Sequence, residues 1–303
     1  MVEHYWQHWI PEAYLSAWCD PHPERQNPRR VHRYAKADGR YIDYRPYNRI
    51  FTTPDLYTVP GPDGGRDLRT EHALGKLEDA FARLRDRVLS HGAPLSAEDR
   101  RDLLWFIATL RNRSPAIHAR HTRLNKRVLE VADDLAEGLR AMSAEERAAF
   151  ARRPRLPSVD RGDCIPLADF RELADQPFGS YLPRHVVTEA GLLERMHLSL
   201  LRVPEAGRCL ITSDNPVVWW DPSDPPPSRR PLGLGRRTIE ITVPITPFLC
   251  AVISHYHGPD VADVDTAVTD EINMRTLYRC REVFLSRKPD LVVDWLDEHA
   301  SEG

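Results

Sequence analysis

Three groups of residues in this chain have the types and spacing to do chemistry. The first lies in Cys209-Leu-Ile-Thr-Ser-Asp-Asn-Pro-Val-Val-Trp-Trp220, where Asp214 stands at a polar corner between two apolar runs. Ser213, Asp214 and Asn215 offer short side chains that bond turn amides, and Pro216 pushes Asn215 out of the helical region. Strand, corner, strand is the expected path, with the Asp214 carboxylate beside Trp219 and Trp220. The second group is His4-x3-His8, a spacing that puts two imidazoles on one helix face for a metal ion. Tyr5 stands where the Glu of a metalloprotease helix would be. Asp214 is a candidate further ligand, so that His8 and Asp214 would share a divalent metal ion. The third group is the run from 111 to 127, which holds Arg111, Arg113, Arg120, Arg123, Lys126 and Arg127 and no acid. Such a run suits an anionic ligand or plain solvation.

Arg113-x4-His118, or Arg111-x6-His118, has the spacing found in metal-independent RNases of the HEPN type, whose Arg and His flank a helix start. That similarity implies an Arg holding phosphate while the His moves a proton. Other chemistries lack their motifs. Ser213 has no G-x-S-x-G elbow. Gly233-Leu-Gly235 is only G-x-G, and Gly75-Lys76 falls inside a helical pattern, so neither an ATPase nor a dinucleotide enzyme is expected.

These side chains need a scaffold. Pro11 opens a short helix carrying Tyr14, Leu15 and Trp18, with His8 just before its positive end. Residues 31–44 form a hairpin turning at Asp38-Gly39, and 49–59 a second extended stretch. A helix over 70–89 points Leu74, Leu77, Phe81, Leu84 and Val88 inward, with Glu71 and Glu78 along the edge of that stripe. Ser96 opens the next helix, which buries Leu103, Ile107 and Leu110. At Arg113-Ser114-Pro115 the pattern breaks. Ser114 is the expected N-cap and Pro115 the first residue of a helix reaching 142, which leaves Arg111 and Arg113 at a joint facing a cleft. A short helix within 143–166, a helical segment near 167–175 and a strand over 193–203 follow. The Pro- and Arg-rich 221–237 is expected as a surface loop or lid. Residues 239–253 supply two strands, with Pro244 and Pro247 at edges or a bend. A helix over 265–279 carries Asn273, a strand over 282–286 closes the fold, and a tail helix contains Trp295.

The fold class this implies is α+β: a central helical bundle packed with mainly antiparallel strands contributed by the N- and C-terminal parts. One domain spans 1–303, with strand-rich 1–66, helical 67–157, and a strand-rich 158–303 ending in helices. Its 303 residues are 41% hydrophobic and 29% charged, with a net charge of -3, which argues against a protein that coats nucleic acid along its whole surface. No apolar run approaches the ~18 residues of a membrane span. The N-terminus lacks the basic and apolar segments of a signal peptide. The five cysteines, at 19, 164, 209, 250 and 280, form no CxxC, so reduced thiols in a cytoplasmic protein are expected.

Several segments together resemble the family called domain of unknown function 4238. They are His8-Trp-Ile-Pro11 with Tyr14-Leu15, Tyr57, the Glu71/Glu78 helix, and Leu110-Arg111 with Arg113 and Pro115. Thr212-Ser-Asp-Asn-Pro216, Pro244-Ile-Thr-Pro247 and the Asn273 helix complete the set. The resemblance runs in order over most of the chain, implies a single α+β fold and brings no established activity. His4 and His118 lie outside the family's pattern. What it singles out is His8, Glu78, Arg111, Asp214 and Asn273, either as a polar site or as a buried network that fixes the fold.

The function expected from all of this is a phosphodiester-directed hydrolase, in the first place a nuclease. Its catalytic candidates are His8, Glu78, Arg111, Arg113, Asp214 and Asn273. Arg120, Arg123, Lys126 and Arg127 are the substrate contacts, and His8 with Asp214 the metal ligands. Nucleic acid or another phosphate-bearing ligand is the expected partner, with no membrane involved. The alternatives are a non-catalytic interaction module, docking an acidic partner on the basic helix, and a small-molecule biosynthetic enzyme.

Overall fold

In the computed structural model, which describes residues 5–20, 29–61, 65–91, 93–152, 170–171, 177–205, 208–226 and 232–288, the chain begins with a short strand, β1 (Trp6–His8). Pro11 then sits at the N-cap of α1 (Glu12–Leu15), whose Tyr14 and Leu15 are buried. The hairpin is β2 (Arg30–Ala35) and β3 (Tyr41–Pro46), turning through Gly39 at φ 65°, a conformation glycine adopts without strain. β4 (Thr52–Pro54) returns to pair antiparallel with β1, placing His8 opposite Thr52. Phe51 just before it holds a positive φ of 56°, and its carbonyl accepts the Trp9 amide at 3.0 Å. A small ladder of β5 (Val59–Pro60) and β6 (Arg66–Asp67) leads into the helices.

The helical bundle is α2 (Arg69–Arg87), α3 (Ala97–Asn112) and α4 (Pro115–Ala141), followed by α5 (Ala144–Arg152) and α6 (Pro177–Leu193). Ser96 caps α3 as its sequence requires, accepting the Asp99 amide at 3.1 Å. Ser114 occupies the N-cap of α4 but makes no side-chain cap bond, so Pro115 at the first position carries that start. Phe81 of α2 and Phe106 of α3 stack with ring centroids 3.6 Å apart. Nothing in the sequence pattern suggested α6, because Pro183 lies inside it. Burial of Val186, Ala190 and Leu193 offsets the lost backbone bond, a case of packing overriding propensity.

Two sheets complete the fold. The larger has the order β12-β7-β11-β10-β9, from β7 (His197–Arg202), β9 (Val218–Trp220), β10 (Glu240–Thr246), β11 (Leu249–Ser254) and β12 (Val261–Asp263). All its pairs are antiparallel except β12 with β7. The smaller, β3-β2-β13-β8, joins the N-terminal hairpin to β8 (Thr212–Ser213) and β13 (Val283–Ser286). α7 (Thr266–Arg279), capped by Asp265 on the Val268 amide, lies against β8 and β9. The architecture is therefore α+β, with strands from both ends of the chain around the helices. One apolar cluster reaches from Ile10 to Leu285. Tyr14 pins α1 to both sheets: its hydroxyl lies 2.6 Å from Thr212 Oγ1 and donates to the Pro244 carbonyl at 2.6 Å. The tail helix with Trp295 and residue His4 lie outside the described residues, as do most of 143–175 beyond α5 and the centre of the expected lid at 227–231.

Candidate functional site

The sequence groups Arg111 with Arg113; the structure parts them. Two residues apart at a helix end, their side chains leave about 200° apart around the axis. Arg113 turns into the protein and is 1% exposed. Its Nε donates to Tyr57 Oη at 2.9 Å, one terminal nitrogen to Glu78 Oε1 at 2.5 Å, and the other to the His8 carbonyl at 2.5 Å. Burial works against its charge, but Tyr57 and Glu78 outweigh that and hold the guanidinium pKa above its ordinary value. Burial also pushes the Tyr57 phenol up to about 12. Arg113 thus ties β1, the loop at Tyr57 and α2 together.

His8 lies on the far side of this tie. Its Nδ1 is 3.6 Å from Glu12 Oε1, and its buried Nε2 has no hydrogen-bond partner. Burial, then the neighbouring Arg113 charge, push its pKa down to about 4. Burial and the Glu78 carboxylate raise that of Glu12. Because His8 binds its proton less readily when folded, the unfolded chain takes up the proton first as pH falls. The His8 contribution is complete above the ordinary histidine pKa and is lost as pH falls toward 4. Its expected full size is on the order of 3 kcal/mol. Urea unfolding of wild type and His8→Gln at pH 7.5 and pH 5 checks this: the variant should lose less stability between the two, and equal losses would contradict it.

Arg111 turns the other way, into a second cluster at the junction of α3, α4 and α6. Its guanidinium lies 3.8 Å over the Trp219 ring and donates to Glu189 Oε2 at 2.6 Å. Asn112 Nδ2 donates to the same oxygen at 2.8 Å. Burial lowers the Arg111 pKa and raises that of Glu189. Around this pair stand three half-buried imidazoles, His118 and His121 on α4 and His185 on α6. The rings of His121 and His185 are 4.5 Å apart between centroids. Burial, then His185, Arg120, Arg111 and His118 push His121 down to about 4. His185 is lowered by burial and by Arg111, and His118 by burial. The sequence signals were present: His118 and His121 are three apart on one helix, and His185 and Glu189 four apart on another.

Asp214 and Asn273, like Arg113 and Glu78, are engaged in holding the fold. Asp214 accepts three backbone amides: Arg281 on Oδ1 at 2.8 Å, and Glu282 and Val283 on Oδ2 at 2.7 and 3.2 Å. Both carboxylate oxygens are occupied in fastening β8 to the start of β13. Asn273 is fully buried, accepting the Ile211 amide at 2.9 Å and donating to the Cys209 carbonyl at 3.0 Å. Both placements have one cause: an extended strand entry inside the protein leaves amides and carbonyls that need side-chain partners. Among the described residues no group of three or more His, Cys, Asp or Glu, His8 and Asp214 included, could hold a metal ion. Cys19, Cys209, Cys250 and Cys280 are buried free thiols.

The basic residues of α4 also divide. Arg120 is close enough to influence His121, whereas Arg123, Lys126 and Arg127 lie exposed farther along the helix, and Arg127 bonds Glu130 at 2.9 Å. A separate cavity of about 500 Å³ is lined by Arg29, Arg85, Arg202 and Arg287 among others. Three of those guanidinium groups are already committed: Arg29 to the Ser16 carbonyl, Arg85 to Ser16 Oγ and the Ala13 carbonyl, and Arg202 to Asp263.

A family model described as "Protein of unknown function (DUF4238)" matches residues 6–290. The chain belongs to this family. No curated protein and no solved structure matches it. In this DUF4238 chain the matched span contains both polar clusters as well as the Asp214 and Asn273 fastenings. No helix among the described residues is long and apolar enough to cross a membrane.

Proposed function

We propose that this protein is a phosphodiester-directed hydrolase, a nuclease, whose chemistry lies at the junction of α3, α4 and α6 rather than at His8. The observation that carries the proposal is the His121–His185 pair, two imidazoles 4.5 Å apart that burial first, and then neighbouring charge including Arg111, hold below their ordinary pKa. Electrostatics separates the two clusters. Beside His8 stand the carboxylates of Glu12 and Glu78; Glu78 is paired with Arg113, which leaves Glu12 to repel a phosphate. Around His121 the excess is positive, and an incoming phosphate offsets it.

In this proposal Arg120 meets the phosphate oxygens and Arg111 maintains the positive field. One neutral imidazole takes the proton of the attacking hydroxyl. The other, protonated once the phosphate charge balances the arginines, gives a proton to the leaving oxygen, so the pair returns to its starting charge in total. Labelled single-stranded RNA and DNA incubated with the purified protein test the proposal. Cleavage that persists in EDTA is expected, since the proton transfers use only side chains. Tight unspecific binding without cleavage, with or without added divalent metal, would overturn it in favour of a non-catalytic binding module.

A further inference from the structure

The charge of α4 changes sign half-way along the helix. Between 118 and 127 it carries Arg120, Arg123, Lys126 and Arg127 and no acid. Between 128 and 139 it carries Glu130, Asp133, Asp134 and Glu137 and no base. One face of the same helix is apolar and open: Leu124 is 58% exposed, Val128 42%, Val131 43% and Leu135 63%. Successive spacings of four, three and four residues make this the a/d seam of a coiled coil. The side of α4 turned toward its own chain is a different one, with Asn125 buried and Thr122, Leu129, Ala132 and Ala136 half-buried. Scattered exposed leucines are ordinary, but a row of four along three helical turns forms a patch.

We propose that this face is the interface of a homodimer in which α4 packs antiparallel against α4 of a second copy. A two-fold axis between Leu129 and Glu130 sets Leu124 opposite the partner's Leu135 and Val128 opposite the partner's Val131. The symmetry repeats both layers, so every exposed residue of the row acquires an apolar partner, as an isologous interface requires. The same axis brings Arg127 beside the partner's Asp134 on the flank of the seam, and the reverse pair forms at the other end. Each basic half then lies along an acidic half, and the two helix dipoles oppose one another. A parallel pairing would place basic half against basic half and acidic against acidic, so the charge pattern selects one orientation. The exposed Arg127–Glu130 bond costs little to exchange for the intermolecular pair. Four layers over three turns is a small interface, which sets the association near micromolar concentrations.

Sedimentation velocity on the full chain, from about 1 to about 100 μM, tests the proposal. Wild type is expected to pass from monomer to dimer across that range. Leu124→Glu should stay monomeric throughout, with an unchanged melting temperature because the side chain faces solvent in the monomer. Arg127→Asp and Asp134→Arg should each weaken dimerisation roughly tenfold by setting like charges together, and the double exchange should restore it to within about twofold. A wild-type monomer at every concentration would overturn the proposal. So would a dimer that survives Leu124→Glu, or charge variants that the double exchange fails to rescue.

Discussion

Arg113→Ala is expected to destabilise the protein by about 3–5 kcal/mol, the usual cost of removing one partner from a buried ion pair. The substitution leaves Glu78 Oε1 without its buried cation and takes one donor each from Tyr57 Oη and the His8 carbonyl, which keep their mutual bond at 3.2 Å, and it opens space beside the Tyr57 ring, whose centroid lies 5.0 Å from the guanidinium carbon. Arg113→Lys should recover little. A single ammonium on a flexible stem cannot reach three acceptors on three separate segments in the fixed fork geometry of a guanidinium. Arg111→Lys should behave differently: it loses stacking on Trp219 but keeps a charge near Glu189 at a more accessible site. Urea unfolding ranks them. If Arg113→Ala costs no more than Arg111→Lys, the tie between β1, Tyr57 and α2 is not what holds that end of the molecule.

The second large effect is kinetic. His121→Ala and His185→Ala are each expected to reduce phosphodiester cleavage by about 10²–10⁴-fold, the range for loss of a positioned general acid or base. The double variant should be little worse than either single one, because the two imidazoles act as a unit. Both residues are half-buried at the surface between α4 and α6, so the melting temperature should barely move. His8→Gln should leave the rate near wild type. A rate that collapses with His8→Gln and survives His121→Ala and His185→Ala would return the chemistry to the N-terminal cluster.

Much of the fold was legible because its elements obey local rules. The apolar stripe of Leu74, Phe81 and Leu84, the Ser96 cap, Pro115 at a helix start and Gly39 in its hairpin are each decided within a few residues of sequence. α6 was not legible, because Pro183 argues against a helix locally and only burial on α3 reverses that. The site was harder for the same reason. Asp214 has the look of an acid at a polar corner, but its partners at 281–283 arrive from nearly seventy residues away. Arg111 and Arg113 look alike in sequence, and only helix geometry sends one to a buried tie and the other to a cluster of imidazoles. With α6 unread, His185 and Glu189 had no element to stand on, so the His121–His185 pair could not be assembled from the sequence.

On the proposed reading, the His121–His185 pair is tuned to receive a phosphodiester. The most direct measurement is an NMR pH titration of the imidazole C–H resonances, assigned through His121→Ala and His185→Ala, with and without a non-hydrolysable dinucleotide. In the free protein the pKa of His121 should lie at about 4. With the dinucleotide bound it should rise from there, because the phosphate charge offsets the Arg120 and Arg111 share of a depression whose largest cause is burial. A His121 pKa that already sits near 6.5 in the free protein, or that does not move when the dinucleotide is added, would contradict the account.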